Sequence, residues 1–390
     1  MISVQEALDK ILALAQLTET ESVPLTEANG RVLAQPVKAL RPQPPFPSSA
    51  MDGYAIADPN PAPGTCFPVI GESAAGRAFD RAVGPGEAVR IFTGAPVPEG
   101  AVRVIIQEDT ERDGDTITLR EGLDSPTYIR REGSDFPADF TINAPRRLSP
   151  NDVALLASMG AGQITVRKRP TVGILATGDE LVAPGTPPGP DQIMASNNYG
   201  LHALLAAHGA APRLLPIARD TAASLSLCFD LAADADLILT IGGASVGDYD
   251  LVGDIAADRG LDRAFYKVAM RPGKPLMAGR LGPSAMIGLP GNPVSAMVCG
   301  TIFVRPLIDA MLGLPAGPIP REDIPLAHPI PANGPREHYM RARLDGGSVE
   351  VFDRQDSSLL RVLTEANALV VRPPNAPACD AGETVPTIRL

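Results

Sequence analysis

The chain has 390 residues, 44% of them hydrophobic, and a formal net charge of −11; this is enough to bury large cores and long enough for roughly two to four domains. The acidic balance excludes nonspecific binding to nucleic acid or to an anionic membrane, since both need a cationic face. No apolar stretch approaches the roughly 20 residues that span a bilayer, and Met1-Ile2-Ser3-Val4-Gln5-Glu6 has neither a basic region nor a long apolar core, so a cytoplasmic protein is expected. Cys66, Cys228, Cys299 and Cys379 are scattered, without a C-x-x-C pair or zinc spacing, and are expected to be buried and inert.

In chain order, Ser3 and Glu6 form a capping box, and Val4, Leu8, Ile11, Leu12 and Ala15 share one helical face. The proline-rich run Arg41 to Pro47 cannot be helix and reads as an extended linker into Ser48-Ser49-Ala50-Met51-Asp52-Gly53-Tyr54-Ala55. Between Thr65 and Leu119, short β-rich runs alternate with turn signals such as Gly84-Pro85-Gly86 and the hairpin candidate Asp113-Gly114, which predicts a small β domain. Ser149-Pro150 starts a helix that Gly160 stops.

From Arg169 to about Leu314 strands and helices alternate. Strands are expected at 171–176, 213–217, 236–241 and 285–289, with a helix from Asn197 to His208 that Ser196 caps and Gly209 ends. This predicts an α/β unit with a mostly parallel sheet covered on both faces and ligands beyond the carboxyl ends of the strands. After Gly317-Pro318, strands at 324–330, 336–344 and 348–353 around Asp345-Gly346-Gly347 suggest a C-terminal β domain.

The motifs fall at those strand ends. Leu239 to Asp250 runs from apolar residues into glycines, Ser245, Asp248 and Asp250. Glycine lets backbone amides approach an anion, the hydroxyl donates, and the carboxylates suit a divalent cation. Thr177-Gly178-Asp179-Glu180 and Pro290-Gly291-Asn292-Pro293-Val294-Ser295 repeat this grammar, and three such loops point to one shared site. The chain has only five lysines, yet Lys267, Arg271 and Lys274 lie within eight residues around Pro272-Gly273, which favours an oxyanion site over a solvated turn. The four histidines, His202, His208, His328 and His338, fall outside these motifs, which disfavours a histidine nucleophile.

Taken together, Ser49 to Tyr54, Phe92 to Ala95, Arg130 to Asp135, Thr177 to Leu181, Gly242 to Asp250, Arg271 to Pro275 and Gly288 to Ser295 closely resemble the molybdopterin molybdenumtransferase family of MoeA type, along essentially the whole chain. The resemblance implies an α/β multidomain fold in an elongated homodimer. Its parts are an extended helical segment (1–46 with 140–168), a β-rich lobe (47–139), a three-layer α/β/α molybdopterin-binding domain with a mostly parallel sheet (169–317) and a C-terminal β-barrel (318–390). It further implies that adenylylated molybdopterin and molybdate are the substrates, that Mg²⁺ is the cofactor, and that pyrophosphate cleavage releases AMP. A molybdopterin adenylyltransferase and apo-molybdoenzymes follow as partners. Such a cleavage needs charge stabilisation and metal positioning more than covalent chemistry.

Residue by residue, the resemblance implies Asp52, Thr93, Asp135, Glu180, Asp220 and Asp250 as the reacting set, with Glu180 and Asp250 on the metal. Arg130, Thr177, Gly178, Asn197, Gly242, Gly243, Ser245, Gly247, Lys267, Pro290, Asn292 and Pro293 then bind the pterin substrate. Arg271, Lys274 and Ser295 form the molybdate pocket, closed by Arg336 or Arg341, with Ser357 and Ser358 nearby. Asp220 has an alternative as a turn or N-cap residue, Asp52 as a turn cap before Gly53, and the Asn292–Ser295 helix start, whose dipoles favour an anion, as a turn packed for shape. Arg271 departs from a commoner lysine, Leu359 from a basic residue and Ala244 from valine. Two other readings are a molybdopterin adenylyltransferase, which lacks the extra lobes, and a gephyrin-like binding scaffold, which need not keep Glu180, Asp250 and Lys274.

Overall fold

The computed structural model describes residues 1–243 and 251–390. Of the readings above, those on Ala244, Ser245, Gly247, Asp248 and Asp250 lie outside the described residues.

A six-stranded sheet organises residues 171–289, in the order Ala211–Leu214, Thr171–Ala176, Leu237–Ile241, Ser284–Leu289, Met277–Leu281, Asp262–Tyr266. The first four strands are parallel and the last two antiparallel. Leu237–Ile241 is buried along its whole length, as a strand covered on both faces must be. Its side chains alternate between two cores. Leu237, Leu239 and Ile241 meet Leu201, Leu205, Phe303 and Leu307 on one face. Ile238 meets Leu225, Phe229, Val252 and Ile255 on the other. Helices Ser196–Ala207 and Pro293–Met311 therefore cover one face, and Ala222–Leu231 and Leu251–Asp258 the other.

The first helix, Val4–Leu12, buries Val4, Ala7, Leu8 and Ile11 in the core that Phe303 occupies. Ser3 accepts from the Glu6 amide, but no bond returns from Glu6, so only half of the expected capping box forms. The full box is at Ser149 and Asp152, at the start of Pro150–Ser158. The stretch expected to be an extended helical segment holds, besides these two helices, a four-stranded sheet of Thr20–Pro24, Gln163–Arg167, Val32–Leu33 and Arg146–Arg147. Strands as short as two residues carry no alternation that a sequence can reveal.

Residues 53–119 form a six-stranded mixed sheet, in which Thr110–Asp113 and Thr116–Leu119 make the hairpin expected at Asp113-Gly114. At the C-terminus, Glu337–Asp345, Ala368–Arg372, Thr384–Arg389 and Glu322–Pro325 follow one another across a sheet, and Ser348–Val351 pairs with Glu337–Asp345. The sheet curls until Leu326 bridges Val349. Met270–Arg271, which emerges from the α/β unit, adds to it in parallel, Arg271 opposite His338.

Several expectations are corrected. Ser196 is the first residue of its helix and not its cap, since Ala195 takes that position without a side-chain bond. The strand expected at 213–217 is Ala211–Leu214, because Pro216 has no N–H to extend the ladder. The strand expected at 324–330 is Glu322–Pro325, and that at 348–353 is Ser348–Val351; prolines at 325 and 329 interrupt the first. Cys66 is exposed and Cys379 half-buried, while Cys228 and Cys299 are buried as expected. The helix Pro293–Met311 has 19 residues and is long and apolar enough to cross a membrane, against the expectation that nothing was; most of it is buried inside the fold, which accounts for its composition.

Burial works against the Asp152 carboxylate, but bonds from the Ser149 amide and hydroxyl (2.8 and 2.7 Å) and from Arg146 (2.6 Å) outweigh it and hold the group below the usual carboxylate range. A depressed native pKa stabilises the fold above the unfolded pKa and loses that stabilisation as pH falls through the native value. Asp152→Ala is therefore expected to cost about 1 kcal/mol at neutral pH. In thermal unfolding, its gap from the parent narrows below about pH 4.

Candidate functional site

The parallel register sets Ala176, Ile241 and Leu289 side by side, so the three loops leave one edge of the sheet. The Thr177 amide donates to Ile241 O and the Gly242 amide to Leu289 O, both at 3.2 Å. Gly242 and Gly243 have φ of +89° and +67°, and a Cβ on Gly243 would lie 2.3 Å from Val252 Cγ2. Only glycine fits there. Asn197 Nδ2 donates to Gly291 O at 2.6 Å and ties the next helix to the Pro290–Ser295 loop.

The helix start at Asn292 was expected to offer its amides to an anion. Its first one is already engaged: the Val294 amide donates to Ser357 O at 3.0 Å, and Asn292 Nδ2 to Ser357 Oγ at 2.8 Å. The C-terminal lobe thus docks on the helix N-terminus, with Ser295 buried behind.

Carboxylates gather after Ala176. Buried Thr177 donates its hydroxyl to Asp220 Oδ1 at 2.9 Å, and the Asp220 amide reaches Asp179 Oδ1 at 3.4 Å. The Glu180 carboxylate folds back so far that a Cβ on Gly178, at φ +150°, would lie 2.4 Å from it. Asp220 is not the cap of the following helix. Thr221 is, accepting from the Ser224 amide. Among the described residues no three His, Cys, Asp or Glu side chains form a metal cage.

The cations gather where Met270–Arg271 joins the C-terminal sheet. Gly273, at φ +109°, would put a Cβ 2.5 Å from Cys299 Sγ, so the turn Arg271-Pro272-Gly273-Lys274 is pressed onto the helix that carries Ser295. Burial pushes the Cys299 thiol far up, which keeps it inert. Arg336 Nη1 reaches Met270 O at 3.4 Å. Arg341 is fully buried, and its Nε and Nη1 donate to Gln355 Oε1 (3.3 Å) and Asp356 O (2.8 Å). It pins the loop that carries Ser357, and Arg336 is the more exposed of the two candidates. Among the described residues, no carboxylate lies within 4 Å of a charged nitrogen of Arg271, Lys274, Arg336 or Arg341. In a chain of net charge −11, Arg271, Lys274 and Arg336, which come from two lobes and have no ion-pair partner among the described residues, make a locally positive group that favours an anion. Lys267 is drawn aside, its Nζ 4.8 Å from the centre of the Tyr266 ring.

In the N-terminal lobe, Asp52 Oδ1 accepts from the Thr93 amide (2.7 Å) and hydroxyl (2.8 Å), which hold its carboxyl below the ordinary range, with Arg90 helping. The Arg90 guanidinium lies 5.0 Å from the ring centre of Tyr54 and 4.8 Å from that of Phe92, and donates to Gln107 at 2.8 Å. Arg130 and Asp135 are exposed, Arg130 paired with Ser48 across two short strands. Among the described residues, no hydrogen bond or ion pair joins 47–139 to 169–317. Among the described residues the Asp52–Thr93 group is thus not bonded to the glycine loops of its own chain.

The reading of the sequence missed Arg90, for want of a motif, and His338, set aside with the other histidines. His338 is buried beside Arg271 and Arg336. A cavity of about 1070 Å³ lies elsewhere, in the C-terminal lobe between Met340, Phe352, Leu359 and Val362. Its lining mixes both signs, Arg354 and Arg361 with Glu350, Asp353 and Glu365, and Arg361 is paired with Glu365 at 3.0 Å.

The chain is similar to known proteins along its length. Residues 2–160 match the MoeA N-terminal region (domain I and II), 173–310 a probable molybdopterin binding domain, and 323–390 the MoeA C-terminal region (domain IV). Molybdopterin molybdenumtransferase 2 of Mycobacterium tuberculosis is 37% identical over 396 residues, covering 98% of each chain. The molybdopterin molybdenumtransferase of a Nostoc species is 35% identical, over 95% of this chain and 89% of its own. The crystal structure of the molybdopterin biosynthesis MoeA protein from Pyrococcus horikosii superposes with a TM-score of 0.83 at 28% identity, over 100% of this chain and 99% of the other.

The tight fit at Gly178 is testable. Gly178→Ala is expected to cost about 1–3 kcal/mol through an unfavourable φ and displacement of the Glu180 carboxylate. Gly162→Ala, which meets nothing within 4 Å and carries no positive φ, changes thermal stability little.

Proposed function

The chain belongs to the molybdopterin molybdenumtransferase family, and on that premise we propose that it transfers molybdenum from molybdate to adenylylated molybdopterin, cleaving the pyrophosphate with release of AMP. It is a transferase of molybdenum cofactor biosynthesis. The observation that carries the finer reading is the group Arg271, Lys274 and Arg336, three cations without ion-pair partners among the described residues, on a turn packed against the helix that follows the Pro290–Asn292 loop at the carboxyl edge of a parallel sheet.

Molybdate is a tetrahedral dianion and needs several fixed donors. Arg271, Lys274 and Ser295 supply them, Arg336 closes the pocket, and Arg341 positions the Ser357–Ser358 loop. The Gly242-Gly243 backbone, continuing into Ser245 and Gly247, cradles the pterin phosphate. Thr177, Asn197 and the Pro290-Asn292-Pro293 turn shape the same wall, and Lys267 borders it. Thr177 orients Asp220 through its hydroxyl, and the Gly178 turn frees Glu180 to face the loops. The donors here are hard carboxylate and hydroxyl oxygens, which fit a magnesium ion. Glu180 and Asp250 would hold it. When bound, it supplies charge neutralisation on the pyrophosphate.

Asp52 with Thr93, and Arg130 with Asp135, complete the site from the N-terminal lobe. Because no bond among the described residues ties that lobe to the loops within one chain, a homodimer is the natural arrangement, one subunit's lobe covering the other's strand ends. The parts then correspond to an extended segment (1–46 with 140–168), a β-rich lobe (47–139), a three-layer molybdopterin-binding domain (169–317) and a C-terminal β-barrel (318–390). A molybdopterin adenylyltransferase upstream, apo-molybdoenzymes downstream and a cytoplasmic setting complete the reading.

Asp52→Ala and Lys274→Ala are each expected to fold and to lose molybdate-dependent AMP release. Mixed, dissociated and reassociated, the two variants recover about a quarter of parent activity if each site draws on both subunits. Full turnover by either variant alone removes that residue from the site, and failure to complement puts the whole site within one chain.

A further inference from the structure

We propose that His338 is a further ligand-facing residue of the molybdate pocket, and that it takes up one proton from the solvent as the dianion binds and donates to it. This deepens the reading above and rests on the pocket being an oxyanion site.

The placement comes from register. His338 lies on Glu337–Asp345 directly opposite Arg271 on one side and Arg372 on the other. Side chains opposite one another across a sheet lie on the same face, so the imidazole shares the face of Arg271. Arg336 precedes it by two residues and bonds Met270 O, the residue before Arg271. His338 is only 7% exposed, yet neither ring nitrogen has a hydrogen-bond partner among the described residues. The ring as a whole is buried, yet its nitrogens are not among the fully enclosed polar atoms left without a partner; they keep an outlet beside Arg271 through which a ligand can be met.

The surrounding charges are Arg271 on its short strand, Arg336 and Arg341 flanking His338 on its own, and Arg372 on the third strand. Lys274 stands in the Arg271 turn. Arg372 is turned away, donating to Pro377 O and Cys379 Sγ. The negative groups lie further off. Glu337 is held by Arg321 and the Tyr339 hydroxyl, and Asp356 by Ser358. The empty pocket therefore holds His338 neutral: burial first, then Arg271, Arg341 and Arg336, bring it down to about 4. A dianion among these cations reverses the local field and favours the imidazolium. Binding then consumes a proton at any pH between the free and bound values, and affinity weakens as pH rises through that window.

The test is titration calorimetry of the full-length protein with micromolar molybdate at about pH 6.5, in two buffers of different ionisation enthalpy. The parent is expected to take up a substantial fraction of a proton per molybdate, with affinity falling by up to tenfold per pH unit. His338→Gln binds with no proton uptake and a flat pH profile. Because a buried substitution can perturb folding, the parent is also followed by NMR through its four histidines: saturation with molybdate moves the His338 titration up by about two units or more, to near or above the pH of the calorimetry. Molybdate binding that Lys274→Ala abolishes, with no proton uptake and an unmoved His338, overturns the proposal and leaves the pocket standing. Absence of molybdate binding in the parent, or binding that Lys274→Ala leaves intact, overturns the pocket itself.

Discussion

The two residues Met270 and Arg271 pair with Glu337 and His338, and the layout of the site depends on that pairing. The chain leaves the α/β unit, adds two rungs to the C-terminal sheet, and returns as Met277–Leu281 to the sheet it left. The excursion sets the Arg271–Lys274 turn beside Arg336 and His338. Gly273 lets the turn lie against Cys299, and so against the helix that carries Ser295. Ser357 fixes the same helix from the other side through Asn292 and Val294. Four segments far apart in sequence are thereby held around one cationic pocket, by a few hydrogen bonds and close packing.

Two electrostatic decisions run through the molecule. Some basic residues of the surface are neutralised locally, as in Arg213 with Asp234, Arg389 with Glu322 and Lys168 with Glu19. Surface pairs of this kind contribute roughly 0–1 kcal/mol each. The chain as a whole is negative, so an anionic ligand needs a local group of unpaired cations, as at the strand-end site. There Arg271, Lys274, Arg336 and Arg341 have no carboxylate within reach among the described residues. Arg341, buried, holds the Gln355–Ser358 loop in place, whereas Arg336 stays near the surface. Similar cations thus divide into a strut and a contact by burial alone.

The strands Thr171–Ala176, Leu237–Ile241 and Ser284–Leu289 were legible because strands covered on both faces read as continuous apolar runs, and the glycine loops because only glycine tolerates positive φ and close backbone approach. Asp220 was ambiguous until the structure gave the cap to Thr221 and the hydroxyl contact to Thr177. Less legible were the two antiparallel strands, Asp262–Tyr266, which is partly exposed and charged, and Met277–Leu281, whose buried start runs into Gly279 and Arg280, and the two-residue strands of the four-stranded sheet. The packing of Val4–Leu12 into the α/β core was invisible, since its amphipathic face names no partner. His338 could have been found by asking which strand Arg271 would join, a long-range register that spacing does not encode. The Arg90–Tyr54–Phe92 stack likewise depends on cross-strand neighbours.

The central claim is that the cationic pocket and the strand-end loops act together in one metal-insertion reaction. It is tested most directly by following AMP release from adenylylated molybdopterin with Mg²⁺, with and without molybdate, and scoring the product by reconstitution of an apo-molybdoenzyme. Molybdate-dependent AMP release with active cofactor is the predicted result. Tight pterin binding by the folded protein without AMP release in either condition would contradict the account and make the chain a binding scaffold.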